Sequence, residues 1–296
     1  MLARFDPDRR LFAAGSVRRG AAVRIGLAIG LGLRLATRPH ARLADVPDVL
    51  FQPPPFLWFL DGMPPRTVLI ALQLVGATAA VLVVVGRRSQ VSFAVAWICL
   101  LGVAGLRDSL GKVMHNDVLL LLACVPFLLM PATSRVSSPG HDRRHGWPVR
   151  TSMLLICGGY FMAGYAKIVH TGIEWVIGDN MRWVLFSAAA GDRPPTAAVA
   201  LAIAERPWLA HLTAASILGF ELLSPLALVL RRLRPPFILG AMALHFGTWL
   251  TLGLDYWGWA LTVAAVFLDW DRILGYADAR RGRAKPATGQ ALAHTP

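Results

Sequence analysis

The sequence is short of charge. Asp, Glu, Lys and Arg make up 16% of its 296 residues, against roughly a quarter in a soluble domain. That shortage excludes a disordered chain, a nucleic-acid-binding arm and an ordinary cytosolic enzyme. Acidic residues are scarcer still, 17 against 30 Lys and Arg. Cysteine is nearly missing: Cys99, Cys124 and Cys157 all fall in apolar stretches and no Cys-x-x-Cys exists. Neither a disulfide framework nor a zinc site is therefore expected, and the three thiols read as small hydrophobic fillers. Familiar catalytic motifs are absent too. There is no His-Glu-x-x-His, no haem-attachment Cys-x-x-Cys-His and no Gly-x-Ser-x-Gly. Gly105 and Gly111-Lys112 resemble a phosphate loop only in outline, since Val113 stands where Ser or Thr is needed.

What the chain does have is apolar length. Its residues are 55% hydrophobic and its mean hydropathy is +0.53. Apolar runs near the 20 residues that cross a bilayer occur at 21–36, 67–86, 91–106, 115–130, 149–168, 208–230 and 236–252, with a shorter one at 256–270. The expected fold class is all-α, a polytopic integral membrane bundle of about eight spans. Alternating loops then place 20 of the 30 basic residues on one side, among them Arg18, Arg19, Arg87, Arg88, Arg143, Arg144, Arg231, Arg232 and Arg234. Nine fall on the other side, Lys167 at the outer end of the fifth span among them, and Arg34, deep in the first span, is assigned to neither. By the positive-inside rule both termini are cytoplasmic and the protein sits in the inner (plasma) membrane. The net charge of +13 is thus a topology signal, and no nucleic-acid partner is expected.

Residues 1–17 read as a basic cytoplasmic N-terminus with no cleavable signal, and 18–272 as the membrane domain. Residues 273–296 read as a basic, disordered cytoplasmic tail, rich in Ala and Pro from Ala279. The outer segment 169–207 carries Trp175 and Trp183 and a Gly191-Asp192-Arg193-Pro194-Pro195 break. It is expected to form interfacial helices on the outer face. The Ala- and Arg-rich composition of the whole chain suggests a bacterium of high GC content.

Ionisable residues inside spans face a cavity or a partner. In the fifth span Tyr160, Ala163, Gly164 and Lys167 share a helical face by i, i+3, i+4, i+7 spacing. Small residues there let a helix or a flat ligand approach closely. Lys167 lines a cavity or, alternatively, snorkels to the interface. His115, Asn116 and Asp117 open the fourth span, as site residues or as helix caps. His245 lies inside the seventh span with Trp249 one turn later, as a site residue or as a hydrogen-bond partner of a neighbouring helix. Glu221 is the one carboxylate deep in a span, and Pro225 four residues on should kink the helix and free a carbonyl beside it. Under the assigned topology Lys167, His115, Glu221 and His245 all lie in the outer half. They are expected to line one cavity, with Tyr160, Gly164, Trp249 and Asp117 around it. No metal site is expected.

The stretch Tyr160-Phe-x-Ala-Gly-x-x-Lys167, followed by Glu174-Trp175-Val176 and Asn180-Met181, resembles the fifth-helix segment of vitamin K-dependent γ-glutamyl carboxylase. From Arg18 to Arg272 the chain resembles the HTTM (horizontally transferred transmembrane) family, to which that membrane domain belongs. It shares an Arg-studded first span, Gly-Lys-Val-x-His before the fourth, and a long outer loop. The resemblance implies a quinol- or lipid-dependent oxidoreductase in which Lys167 is the base and His115 and His245 stabilise charge. The implied cofactor is a reduced naphthoquinone such as menaquinol, which oxygen converts to an epoxide. A base of this kind acts as the neutral amine. Two departures stand out. Ala166 replaces a second lysine, and the sequence ends 26 residues after Trp270, without the carboxylase's β-rich soluble domain. Glutamate carboxylation is not expected. The alternative is a non-catalytic membrane module that binds a lipid, a quinone or a partner protein.

Overall fold

A computed structural model describes residue 8 and residues 11–111, 115–132, 140–191 and 195–280. Several expectations lie outside the described residues: Arg4, Arg9, Arg10 and Arg135, positions 112–114 of Gly-Lys-Val-x-His, positions 192–194 of the loop break, and tail residues 281–296.

A two-residue strand, β1 (Gly15–Ser16), leads into α1 (Val17–Thr37). The Ser16 hydroxyl accepts the Arg19 backbone N–H at 3.2 Å and so caps the helix start. The helix stops at Thr37 because Arg38 precedes Pro39 and is extended. Short 3₁₀ turns lead to α2 (Arg66–Val84), which a tight turn joins to α3 (Ser89–Asp108). Next come α4 (Val118–Leu128) and β2 (His141–Asp142), which pairs antiparallel with β1. The longest helix, α5 (Arg143–Thr171), follows with Asp142 as its cap. Three short helices, α6 (Glu174–Ile177), α7 (Asn180–Ala190) and α8 (Ala197–Ala204), fill the outer segment. Then α9 (Pro207–Leu223) and α10 (Leu226–Val229) are separated at Ser224-Pro225, as expected from that proline. Finally α11 (Arg234–Leu252), α12 (Trp257–Phe267) and α13 (Trp270–Arg280) close the chain. The left-handed Gly253 caps α11 and starts the turn into α12. Because α13 is helical, residues 273–280 correct the expectation of a disordered tail. It is an amphipathic helix, with Ile273 and Tyr276 exposed.

The fold is all-α apart from the β1–β2 pair, and α1 lies at its centre. It packs on α2, α3, α4, α5, α12 and α13. Close approach is possible because α1 is glycine-rich: a Cβ at Gly26 would sit 2.8 Å from that of Ala265 in α12. Among the described residues four helices, α1, α2, α3 and α5, are long and apolar enough to cross a membrane. The sequence had suggested about twice as many spans. At 1.5 Å per residue the 11-residue helices α4 and α12 reach only about 16 Å, half a hydrocarbon core. A proline interrupts the sixth apolar run between α9 and α10.

Buried arginines tie this bundle together. Arg24 in α1 donates to the carbonyls of Met130 and Pro131, just beyond α4, satisfying acceptors that a helix end leaves open. Arg34 has no solvent exposure and bonds the carboxylates of both Asp117 and Asp255, the latter at 2.9 Å. Asp117 also accepts from Arg107 in α3 at 2.6 Å. Asp255 is held in turn by Arg38 at 2.9 Å, and its backbone carbonyl takes the Asn116 amide at 2.6 Å. Neither Asn116 nor Asp117 therefore serves as a cap for α4: both are engaged with this cluster. His40 lies beside this cluster, without an ion pair of its own among the described residues. Burial pushes its imidazole down to about 4, and its Nε2 lies 3.3 Å from the Arg34 carbonyl.

Removing one partner of a buried ion pair strands the other. Arg34→Leu should therefore cost about 3 kcal/mol of stability or more. Arg66→Leu opens the exposed Arg66–Asp45 pair and should cost no more than about 1 kcal/mol. Unfolding of both variants in mild detergent checks this; equal losses would contradict the role given to Arg34.

Candidate functional site

A cavity of 540 Å³ lies between α5, α9 and α11, with α6, α7 and α8 over it and the α11–α12 turn at its side. Its wall is largely apolar, and five of the expected residues line it: Lys167, Glu221, Tyr160, His245 and His115. The α5 spacing accounts for two of them. Tyr160, Ala163 and Lys167 stand on the cavity face, while Gly164 beside them faces α9.

Lys167 and Glu221 form a closed ion pair across α5 and α9. The ammonium nitrogen lies 2.7 and 2.6 Å from the two carboxylate oxygens. Glu221 is 6% exposed, and the ammonium also sits 5.1 Å from the centre of the Trp175 ring in α6. Snorkelling to the interface, the alternative for this lysine, is not what its side chain does. The Pro225 break contributes directly. Proline cannot donate to the Glu221 backbone carbonyl, and the Ser224 hydroxyl takes its place at 2.8 Å. The same hydroxyl reaches the Cys157 carbonyl of α5 at 2.9 Å, pinning the two helices side by side below the ion pair.

Two tyrosine–histidine pairs occupy the other side. The Tyr160 hydroxyl and His245 Nε2 are hydrogen bonded at 2.6 Å, both groups buried. The Tyr256 hydroxyl and His115 Nε2 are bonded at 3.0 Å, in an exposed position. Trp259 of α12 joins the pairs. Its indole N–H donates to the His115 carbonyl at 3.2 Å. Its ring lies 5.6 Å from those of Tyr160 and His245 and 5.9 Å from Tyr256. These spacings are typical of edge-on aromatic packing. Trp175, Tyr256 and Trp259 were not anticipated as site residues. The only sequence signal for the last two is the aromatic density of Tyr256-Trp257-Gly258-Trp259 beside the Asp255 turn.

Three expected cavity residues are elsewhere. Asp117 is consumed by Arg34 and Arg107. Trp249 does not line the cavity; it is 43% exposed and packs on Phe246. The reason is angular. At 100° per residue the cavity face of α11 centres on Leu244, Thr248 and Thr251, with His245 at its edge and Trp249 beyond that edge. Gly164 serves the helix contact: a Cβ there would meet the Glu221 Cβ at 2.9 Å. The segment 169–207, expected to form interfacial helices on the outer face, covers the cavity. Trp175, Met181 and Ile203 reach the lining, and Leu185, Ala200 and Ala204 form a small core of their own. Among the described residues no group of three or more His, Cys, Asp or Glu side chains is placed to hold a metal ion.

Fold and site together define an all-α chain with membrane-length apolar helices and a polar-tipped internal cavity. Compared with known proteins, the chain matches no family model, no curated protein and no solved structure.

The tight contact at Gly164 has a measurable consequence. Gly→Ala in an open helix position stabilises by up to about 1 kcal/mol, and Gly158 on the same helix has open space beside it. Gly164→Ala should instead destabilise by about 1 to 3 kcal/mol, because Glu221 must shift. Identical melting shifts for the two variants would contradict the contact.

Proposed function

We propose that the chain is a multi-pass protein of the bacterial inner membrane that binds a planar, apolar ring compound carrying ionisable oxygens and takes a proton from it. A reduced naphthoquinone such as menaquinol is the ligand that fits best. The observation that carries this reading is the meeting of Lys167–Glu221, Tyr160–His245 and His115–Tyr256 on one apolar cavity. The volume of 540 Å³ is in the range of small-molecule sites, about 300 to 1,000 Å³. Apolar walls suit a ring and its isoprenoid tail, and a few convergent polar groups suit its oxygens.

In this proposal the Lys167–Glu221 pair acts as one unit. An ammonium cannot accept a proton, so Lys167 works as a base only once its own proton passes to Glu221, the group already bonded to it. The two Tyr–His pairs then face the oxygens and stabilise developing phenolate charge. Kinship with the HTTM family belongs to the same proposal. It is supported by the Tyr-Phe-x-Ala-Gly-x-x-Lys stretch, whose lysine shares a cavity with His115 and His245.

About eight spans with both termini cytoplasmic is likewise proposed. One structural feature supports the orientation. The first turns of α1, α5 and α11 lie around an arginine-rich hollow, and the cavity lies at the far ends of α5 and α11. These three helices run in one direction, as the first, fifth and seventh of eight alternating spans would. The cavity then belongs to the outer leaflet. A second reading, a non-catalytic module that holds a lipid, quinone or partner protein, is favoured by the closed state of the Lys167–Glu221 pair.

Turnover separates the two. Purified protein in lipid nanodiscs is given reduced menaquinone and oxygen, and oxidised product and epoxide are followed by chromatography. Product from the wild type and none from Lys167→Ala of comparable melting temperature supports the enzyme. Menaquinol binding without product supports the module. Absence of both binding and product overturns the quinol reading.

A further inference from the structure

At the end of the bundle opposite the Lys167 cavity, a second cavity of 690 Å³ opens among the first turns of α1, α5, α11 and α13. Guanidinium groups dominate its polar lining. They are Arg19 in α1, Arg150 in α5, Arg231 and Arg232 in the turn before α11, Arg234 at the start of α11, and Arg272 in α13. Two carboxylates, Asp269 and Asp271, face them. Neither is within ion-pair distance of any of these arginine side chains, although both attract Arg19 and Asp269 also attracts Arg234 and Arg272: Asp271 accepts the Ser16 hydroxyl at 2.6 Å, and Asp269 accepts the backbone N–H of Arg272 at 3.4 Å. Among the described residues no ion pair joins any of these six arginines to a carboxylate.

Arg150 has a structural task, since its guanidinium binds the carbonyls of Leu11, Ala13 and Ala14. The other five have little to hold, and Arg272 has only the Tyr276 side chain, its guanidinium 3.5 Å from the hydroxyl. Arg19 reaches the Val266 carbonyl only at 3.5 Å and Arg234 that of Ala227 only at 3.4 Å. Arg231 and Arg232 are exposed at the cavity rim. Four helices also begin here, and the partial positive charge of their N-termini adds to the same field.

A basic loop facing the cytoplasm explains many arginines on one side of a membrane protein. It does not explain why side chains from five separate elements converge on one hollow. Arg87 and Arg88, on the same side by sequence, gather no such cluster: they share one small groove with Leu82, and the other groove that Arg88 borders is lined by apolar and hydroxyl side chains, with no arginine from another element in either. Like charges sharing a cavity repel, and an anion between them removes that cost. Several guanidinium forks approaching from different directions match a tetrahedral oxyanion, whose oxygens each accept from one fork.

The geometry points to a binding site for a phosphate-bearing anion at this arginine cavity. Met153, Ile238 and Phe267 form an apolar floor beneath the arginines. A lipid phosphate carries a glycerol and acyl chains that would lie on such a floor, whereas a soluble phosphate would use the arginines alone. Both sources share the chemistry, and the experiment tells them apart.

Full-length protein in neutral detergent is offered dioleoylphosphatidylglycerol or, separately, the zwitterionic dioleoylphosphatidylcholine, and retained lipid is counted by native mass spectrometry. Inorganic phosphate is tested in parallel by thermal stabilisation. The variant is R231Q/R232Q, at the exposed rim, and the control is R87Q/R88Q, with melting temperatures showing that both fold. Loss of two phosphate-facing arginines should weaken phosphatidylglycerol retention about tenfold or more, while the control behaves as wild type. That result supports the site with a lipid as its source. Stabilisation by inorganic phosphate that R231Q/R232Q abolishes, without lipid preference, supports it with a soluble anion as the source. Failure to bind either probe, binding unchanged in R231Q/R232Q, or equal loss in R87Q/R88Q overturns it.

Discussion

A guanidinium shut away from water must find its counter-charges inside the protein, and Arg34 finds them on two segments far away in sequence. Asp117 stands at the start of α4 and Asp255 in the turn before α12. Those two carboxylates are one and two residues from side chains that line the cavity: Asp255 precedes Tyr256, and Asp117 follows His115 by two positions. Holding both on Arg34 brings the two segments together, and the His115–Tyr256 bond forms where they meet. Asn116 reinforces the junction through the Asp255 carbonyl. Desolvating such charges is expensive, and a well-packed apolar substitute is often no less stable. What the cluster supplies here is position: it fixes one edge of the cavity from the centre of the bundle.

The opposite edge is built by backbone chemistry. Pro225 ends α9 where its missing N–H leaves the Glu221 carbonyl free, and Ser224 fastens that point to α5. Gly164 lets α9 come close enough for Glu221 to reach Lys167. The cavity between the two edges contains three hydrogen-bonded pairs, each satisfied internally. An apolar site can tolerate such groups only in that condition. In the proposed function a ligand bearing oxygens would compete with these pairs one at a time, with the apolar walls holding its ring meanwhile.

The helices and several of their breaks were legible because they rest on local rules. The Pro225 interruption and the face shared by Tyr160, Ala163 and Lys167 follow from spacing and backbone chemistry within a few residues. Asp117 was misread for the opposite reason. Its partners lie 83 and 10 residues away, and no local pattern distinguishes a cap from a counter-ion. Trp249 was misplaced because a one-turn neighbour of His245 is rotated 40° from it, enough to leave a cavity whose edge is at His245. The covering role of α6, α7 and α8 was hidden as well: aromatic residues on a loop suit an interface and a cavity roof equally. Helix lengths were blurred because hydropathy runs through a proline that ends a helix.

The account stands on one claim, that Lys167, Glu221, Tyr160, His245, His115 and Tyr256 surround a single ligand. The direct test is the structure of the protein in lipid nanodiscs with reduced menaquinone added. The account predicts ring density in the 540 Å³ cavity, with one ring oxygen in hydrogen-bond contact with the Lys167–Glu221 pair and Trp259 packed against its face or edge. Density for the ring at another surface, with these side chains undisturbed and the cavity filled by its own neighbours, would contradict it.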